Sequence, residues 1–299
     1  MDILTIRDLK KDFGAKQVLK GLSLCVPEQS VFGFVGRNGS GKTTTMKAVL
    51  GLLKPDAGEI FVAGERVLYG ETPTNRFVGY LPDVPEFYSF MTAREYLRLC
   101  GESLGLEDAE IKKRSDELLS MVGLFNEKSR VKGYSRGMKQ RLGIAQALFS
   151  RPKLLICDEP TSALDPIGRK EILDLLLSVR EQTTVLFSTH ILSDVERCCT
   201  GVAFLHDGRI VMEGTVDGLL SSQLADGFCV ELASDAARDA LISAFADARP
   251  IEGGALSFSG GEEKAFSVLG FIKDNRLPLR RFERTEASLE TLFLEVMGK

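Results

Sequence analysis

Eight consecutive residues, Gly36, Arg37, Asn38, Gly39, Ser40, Gly41, Lys42 and Thr43, place three glycines, a lysine and a hydroxyl at the spacing GxxxxGK[ST]. That spacing suits a phosphate group. The glycines let the main chain wrap an anion where a Cβ would block close approach or a positive φ. Lys42 can reach terminal phosphates, and the Thr43 hydroxyl can hold Mg²⁺. Thr44, the next residue, belongs with them as a phosphate contact. The loop follows the apolar run SVFGFVG (30–36) and precedes a helical pattern, so its amides converge on an anion at the positive end of a helix dipole. A second acidic element, LLICDEP (154–160), ends an apolar run with Asp158 and Glu159. Open α/β sheets collect ligands at the carboxyl ends of their strands. There Asp158 can bind Mg²⁺ through water, and Glu159 can polarise a water attacking a γ-phosphate.

These groups need a scaffold that brings strand ends together. Apolar runs of strand length occur at 30–36, 153–159 and 183–189, each followed by a helical pattern, which predicts a parallel sheet buried on both faces. VAFLHDGRIVMEG predicts a hairpin turning at Asp207-Gly208. Between 84 and 150 strand signals give way to helical ones, with Thr92 and Glu95 spaced as a capping box. From about residue 220 strands and helices alternate through FCVELA, DAARDALISAFADA, ALSFS, EEKAFSVLGFIKD, LRRFER and EASLETLFLEVMG, the pattern of a small α+β domain. The expected domains are therefore 1–219, with a helical subdomain at about 84–150, and 220–299.

The chain of 299 residues is 44% hydrophobic and 27% charged, an ordinary globular composition. Acids outnumber bases 42 to 38, and the bases are scattered, which argues against a nucleic-acid-binding surface. Cys25, Cys100, Cys157, Cys198, Cys199 and Cys229 lack CxxC spacing and fit free thiols in a reducing compartment. With no signal-peptide core at the start and no apolar stretch of membrane-spanning length, the expected location is the cytosol, unless a partner holds the chain at a membrane.

With the phosphate loop and acidic pair in place, residues 1 to about 219 resemble the nucleotide-binding subunit of ATP-binding cassette (ABC) transporters. YSRGMKQRL matches the family signature LSGGQ, with Ser135 and Gly137 retained. This variant is typical of the subgroup that pairs with ABC-2-type membrane subunits, such as drug and antibiotic exporters. Ser135 can cap a helix whose free amides would grip a γ-phosphate. Phe13 stands where the family stacks an aromatic on adenine; taken alone it reads equally as an apolar core residue. SALD (162–165) matches the loop that crosses the dimer interface, and Asp165 can also cap a helix starting at Pro166. His190 in FSTH matches the histidine that contacts the γ-phosphate. VGYLPD (78–83) matches the segment that usually supplies a glutamine to the metal; Asp83 stands there instead, a shorter anion able to bind Mg²⁺ directly or through water. The ending TEASLETLFLEVMGK resembles the C-terminal extension of many ABC-2-type ATPases, and reads equally as an amphipathic helix closing an accessory domain or as a regulatory or dimerising element.

The resemblance implies a P-loop NTPase (ABC ATPase) α/β fold: a parallel-sheet core, antiparallel N-terminal strands, a helical subdomain and a small C-terminal α+β domain. It implies ATP and Mg²⁺ as ligands, and a homodimer or a pair with a related ABC ATPase subunit. Two ATP would lie sandwiched head to tail, each between the 36–43 loop of one copy and the 134–138 segment of the other. Integral membrane permease subunits would be the partners, holding the chain at the inner face of the cell membrane, with EFYSFMT (86–92) passing motion to them. Two other readings stand beside this one. A soluble ABC ATPase remodelling a ribosome or DNA usually has two cassettes or a long coiled-coil insertion, which this chain lacks. A non-hydrolysing nucleotide sensor would be expected to lack Glu159.

Overall fold

The computed structural model describes residues 1–70, 73–222, 227–251, 254–284 and 288–297, with the side chains of 222 and 294–297 outside that description. The chain divides into two compact units, Met1–Val216 and Asp217–Lys299.

In chain order the first unit contains β1 (Asp2–Phe13), β2 (Lys16–Pro27), β3 (Val31–Val35), α1 (Lys42–Val49), β4 (Ala57–Val62), β5 (Glu65–Arg66) and β6 (Val78–Leu81). Three helices follow, α2 (Ala93–Ser103), α3 (Asp108–Met121) and α4 (Arg136–Ala147). The unit continues with β7 (Leu154–Asp158), α5 (Pro166–Val179), β8 (Thr184–Thr189), α6 (Leu192–Cys198), β9 (Gly201–His206) and β10 (Arg209–Thr215), after which α7 (Val216–Ser222) begins.

Six strands form one sheet in the order β10-β9-β3-β8-β7-β6. All its pairings are parallel except that of the hairpin β9–β10. Every residue of β3, β7 and β8 is buried, as their uninterrupted apolar runs require when helices cover both faces. Each Leu, Ile or Phe so buried contributes roughly 1.5–3 kcal/mol, against which conformational entropy acts. The order places β8 between β3 and β7, with Val35 opposite Thr189 and Asp158 opposite Ser188. Segments far apart in the chain therefore end side by side.

The antiparallel sheet β2-β1-β4-β5 packs its apolar side into the same core, with Leu4, Ile6, Leu22 and Val62 fully buried. The hairpin turn at Asp207-Gly208 is tied to β2 by the Lys20 amide, which donates to the Gly208 carbonyl at 2.9 Å, and by a 2.5 Å Lys20–Asp207 ion pair. Between β6 and β7 the chain is helical. The capping box forms: the Thr92 amide donates to Glu95 Oε2 at 2.8 Å and the Glu95 amide to Thr92 Oγ1 at 3.3 Å. The Thr92 amide first, and then the Thr92 hydroxyl, which also donates to Oε2 at 3.0 Å, hold the Glu95 carboxyl below its usual range.

The second unit contains β11 (Gly227–Leu232), α8 (Asp235–Ala244), β12 (Arg249–Pro250), β13 (Leu256–Ser259), α9 (Glu262–Asp274), β14 (Leu279–Arg284) and α10 (Leu289–Met297). Its strands pair antiparallel in the order β12-β13-β11-β14. With one helix after β11 and another after β13, this is a split β-α-β arrangement of ferredoxin-like topology. Phe228 stacks on Phe258 and on Phe282, each at 5.0 Å, and Val230, Leu241, Leu256 and Val268 complete the core. Strand β12 escapes sequence reading because two residues, one a proline, carry no alternation. Of the closing segment 285–299, residues 285–287 and 298–299 lie outside the described residues. Among the described residues no helix is long and apolar enough to cross a membrane.

Candidate active site

The glycine-rich loop leaves β3 with the Gly36 amide donating to the Thr189 carbonyl at 3.2 Å. A Cβ on Gly36 would lie 2.6 Å from both the Leu205 carbonyl oxygen and Ser40 Oγ. Gly41 caps α1 at φ 115°, in the left-handed region, with no side-chain cap on the helix. A Cβ there would stand 2.7 Å from Leu19 Cδ2. The helix therefore starts with first-turn amides that no cap side chain takes, the arrangement that receives an anion. Ser40 Oγ is buried without a hydrogen-bond partner, a polar orphan inside the loop. Lys42 is buried and curls back, its Nζ donating to the Gly36 carbonyl at 2.6 Å and the Arg37 carbonyl at 3.4 Å.

The acidic pair stands opposite. Asp158 is buried at the end of β7, where Oδ2 accepts from Thr43 Oγ1 at 2.7 Å and Oδ1 from Ser188 Oγ at 2.5 Å. Ser188 in turn accepts from the Glu159 amide at 3.0 Å. Glu159 adopts φ 48°, a left-handed conformation costly for a side chain with a Cβ and the kind of strain that surrounding contacts must hold. Its Oε2 meets His190 Nδ1 at 2.9 Å; its Oε1 accepts no hydrogen bond of good geometry but lies 3.1 Å from Lys42 Nζ. One carboxylate thus sits between the loop lysine and the histidine at the end of β8. Burial, reinforced by the Asp158 charge, pushes the Tyr80 phenol up to about 12, so this phenol stays protonated.

A cleft of about 650 Å³ opens over these groups, lined by Phe13, Asn38, Gly39, Gly41, Lys42, Thr43, Thr44, Asp83, Asp158 and Glu159. Phe13 is half-exposed at its edge, with Lys11 Nζ 5.5 Å from the ring centre, so it is not a core residue. Lys16 and Val18 line the same cleft, and no motif marks either of them in the sequence. Ser188, which holds both acids, was also without a signal, since it is simply one residue of an apolar strand.

Asp83 faces the cleft while its Oδ1 pairs with Arg136 Nη2 at 3.1 Å and its carbonyl accepts from Gln140 Nε2 at 2.8 Å. Ser135 caps α4, accepting from the Met138 amide at 3.2 Å, and Asp165 caps α5, accepting from the Gly168 amide at 3.1 Å. Ser135, Gly137 and Asp165 do not line the cleft of their own chain. Among the described residues no group of three His, Cys, Asp or Glu side chains is placed to hold a metal ion unaided. The hard oxygens of Thr43 and Asp158, already 2.7 Å apart, fit Mg²⁺, an ion that takes few protein ligands and fills its shell with water and phosphate.

A family model described as ABC transporter matches residues 19–162. The uncharacterized ABC transporter ATP-binding protein YxlF of Bacillus subtilis (strain 168) is 36% identical over 305 residues, covering 99% of both chains. The chain belongs to the ABC transporter ATP-binding family. The bacitracin transport ATP-binding protein BcrA of Bacillus licheniformis is 41% identical over 220 residues, covering 73% of this ABC subunit and 71% of that protein. A solved structure of the ATP-binding subunit of an ABC transporter matches with a TM-score of 0.65 at 34% identity, covering 74% of this subunit and 92% of the other. The protein is therefore a P-loop ABC ATPase, the ATP-binding and ATP-hydrolysing subunit of a transporter. Its phosphate loop, buried lysine and paired acids have the chemistry that phosphoryl transfer to water needs: cation and amide contacts for the phosphates and a held carboxylate for the water.

Proposed function

We propose that this ABC subunit powers export of an antibiotic, drug or lipid-like molecule through separate membrane permease subunits that hold it at the inner face of the cell membrane. The observation that carries the proposal is Glu159, fixed between Lys42 and His190 beside the phosphate loop. Loop amides from 36–43 and the Lys42 ammonium bind the phosphates of ATP; Phe13 covers the adenine. Mg²⁺, held by Thr43 and Asp158 with Asp83 facing the same cleft, would offset phosphate charge. Glu159 takes a proton from the attacking water, and His190 orients the carboxylate and meets the γ-phosphate.

Ser135 and Gly137 at the head of α4, and Asp165 at the head of α5, serve the nucleotide of a second copy. That accords with their absence from the lining of their own chain's cleft. Two copies close on two ATP, and loss of the γ-phosphate reopens them. The exposed Val84, Tyr88 and Phe90, in the segment leaving Asp83, pass this motion to the permease. The second unit serves as an accessory domain. The resemblance to BcrA, a bacitracin transport protein by name, supports an antibiotic as cargo.

Purifying the protein from membranes and identifying what accompanies it tests the proposal. An integral membrane protein with spanning helices is the expected companion; recovery with ribosomes instead contradicts it.

A further inference from the structure

Asp194 lies four residues beyond His190, in the first turn of α6, and its side chain is 2% exposed. Three segments converge on it. Oδ2 accepts from Thr161 Oγ1 at 2.8 Å, and Thr161, itself buried, is two residues past Glu159. Oδ1 accepts from Arg169 Nε at 2.5 Å, while Arg169 Nη2 donates to Ser193 Oγ at 2.8 Å. Arg169 belongs to the first turn of α5, its amide bonded to the carbonyl of the capping Asp165 at 2.9 Å. One buried carboxylate thus joins the loop after Glu159, the helix capped by Asp165 and the segment carrying His190.

An ion pair at this depth is a poor source of net stability, because desolvation offsets most of the attraction. What it supplies is fixed geometry. Geometry is what this site lacks locally: Glu159 sits at φ 48° and Ala163 at φ 52°, so the loop between β7 and α5 holds strained backbone at both ends. Its local main-chain ties are the Ser162 amide to the Glu159 carbonyl at 3.0 Å and the Leu164 amide to the Thr161 carbonyl at 3.4 Å. The Thr161–Asp194 bond ties that loop to the His190 segment a second time, beside the Glu159–His190 contact.

We propose that Asp194 is a positioning residue for ATP hydrolysis, acting through Thr161 and Arg169 to set the Glu159 loop against the His190 segment. The inference rests on reading Glu159 as the group that activates water. Without the tie the 2.9 Å contact between Glu159 and His190 loosens, while the phosphate loop, which shares no hydrogen bond or ion pair with Asp194 among the described residues, keeps its grip on nucleotide.

The test compares Thr161→Val, Thr161→Ser, Asp194→Asn and Glu159→Gln in the full chain by steady-state MgATP hydrolysis, calorimetric ATP affinity and thermal melting. Thr161→Val keeps the side-chain size, so it serves even if Asp194→Asn fails to fold. Thr161→Val and Asp194→Asn are expected to lower kcat on the order of ten- to hundredfold, as small misplacements of reacting groups do. ATP affinity should stay within about twofold, and Thr161→Ser should restore most of the rate. A parental kcat in Thr161→Val, a rate loss matched by lost affinity, or a Ser variant no better than Val would overturn the inference. If Glu159→Gln is slow while Thr161→Val is fast, only the positioning role fails; if Glu159→Gln turns over at the parental rate, the reading of Glu159 fails and the inference with it.

Discussion

Lys42 Nζ stands 3.1 Å from Glu159 Oε1, so the cation proposed to meet the phosphates also holds the carboxylate proposed to activate water. Both side chains are largely buried, at 6% and 13% exposure, which makes the pair far less screened than a surface ion pair. Phosphate oxygens entering the cleft would compete with Glu159 for the same ammonium. On the proposed reading, nucleotide binding at Lys42 would release the carboxylate toward water.

Replacing Lys42 by Ala removes a charge-assisted contact worth about 1.5–3 kcal/mol, roughly ten- to hundredfold in the Kd for ATP. Titration calorimetry measures it. An unchanged Kd would remove Lys42 from the phosphate site.

Gly41 and Gly39 separate two reasons for a glycine. Both have positive φ, 115° and 81°, but a Cβ on Gly41 meets Leu19 whereas one on Gly39 meets nothing within 4 Å. Gly41→Ala should therefore lower the melting temperature more than Gly39→Ala, whose cost is backbone strain of about 1–2 kcal/mol. Equal shifts would show that the Leu19 contact does not constrain the loop.

Thr43→Val removes the hydroxyl that faces Asp158 at 2.7 Å. The Mg²⁺ concentration for half-maximal hydrolysis should rise on the order of tenfold or more, while ATP affinity without Mg²⁺ stays near the parental value. Hydrolysis followed across a Mg²⁺ titration decides this; an unshifted midpoint would place the metal elsewhere.

The capping box gives a pH signature. Glu95 is held below its ordinary value of 4.5, first by the Thr92 amide, so its folded form favours the charge. For a depressed carboxyl the stabilisation is complete above the unfolded value and fades as pH falls through the folded one. The melting-temperature gap between the parent and Glu95→Gln should be full at neutral pH and close below about 4.5. A gap that widens on acidification would contradict the sign. Asp56, lowered first by its bond from Lys11, loses its stabilisation in the same direction.

What was legible in the sequence was what is contiguous. The phosphate-binding pattern is eight consecutive residues, and its glycines, lysine and threonine can be read without any tertiary context. The continuous apolar runs before Gly36, Asp158 and His190 foretold buried parallel strands, because only strands covered on both faces lack alternation. The Asp207-Gly208 turn and the Thr92 capping box were equally local, and both formed. Strand order was not legible, since periodicity gives an element's faces and not its neighbours. Thr43 and Asp158, 115 positions apart, meet only because β3 and β7 flank β8. Ser188 and Asp194 gave no signal for the same reason; their partners lie about 30 residues away across that order. In the second unit the alternation of strands and helices was readable, but the order β12-β13-β11-β14 was not.

Glu159→Gln, assayed with MgATP, bears most directly on the site. Turnover should fall about 10²- to 10⁴-fold while ATP remains bound, and light scattering should show a dimer that forms with ATP and is absent without it. Hydrolysis at the parental rate would contradict the assignment of Glu159 and leave the carboxylate between Lys42 and His190 without a catalytic role.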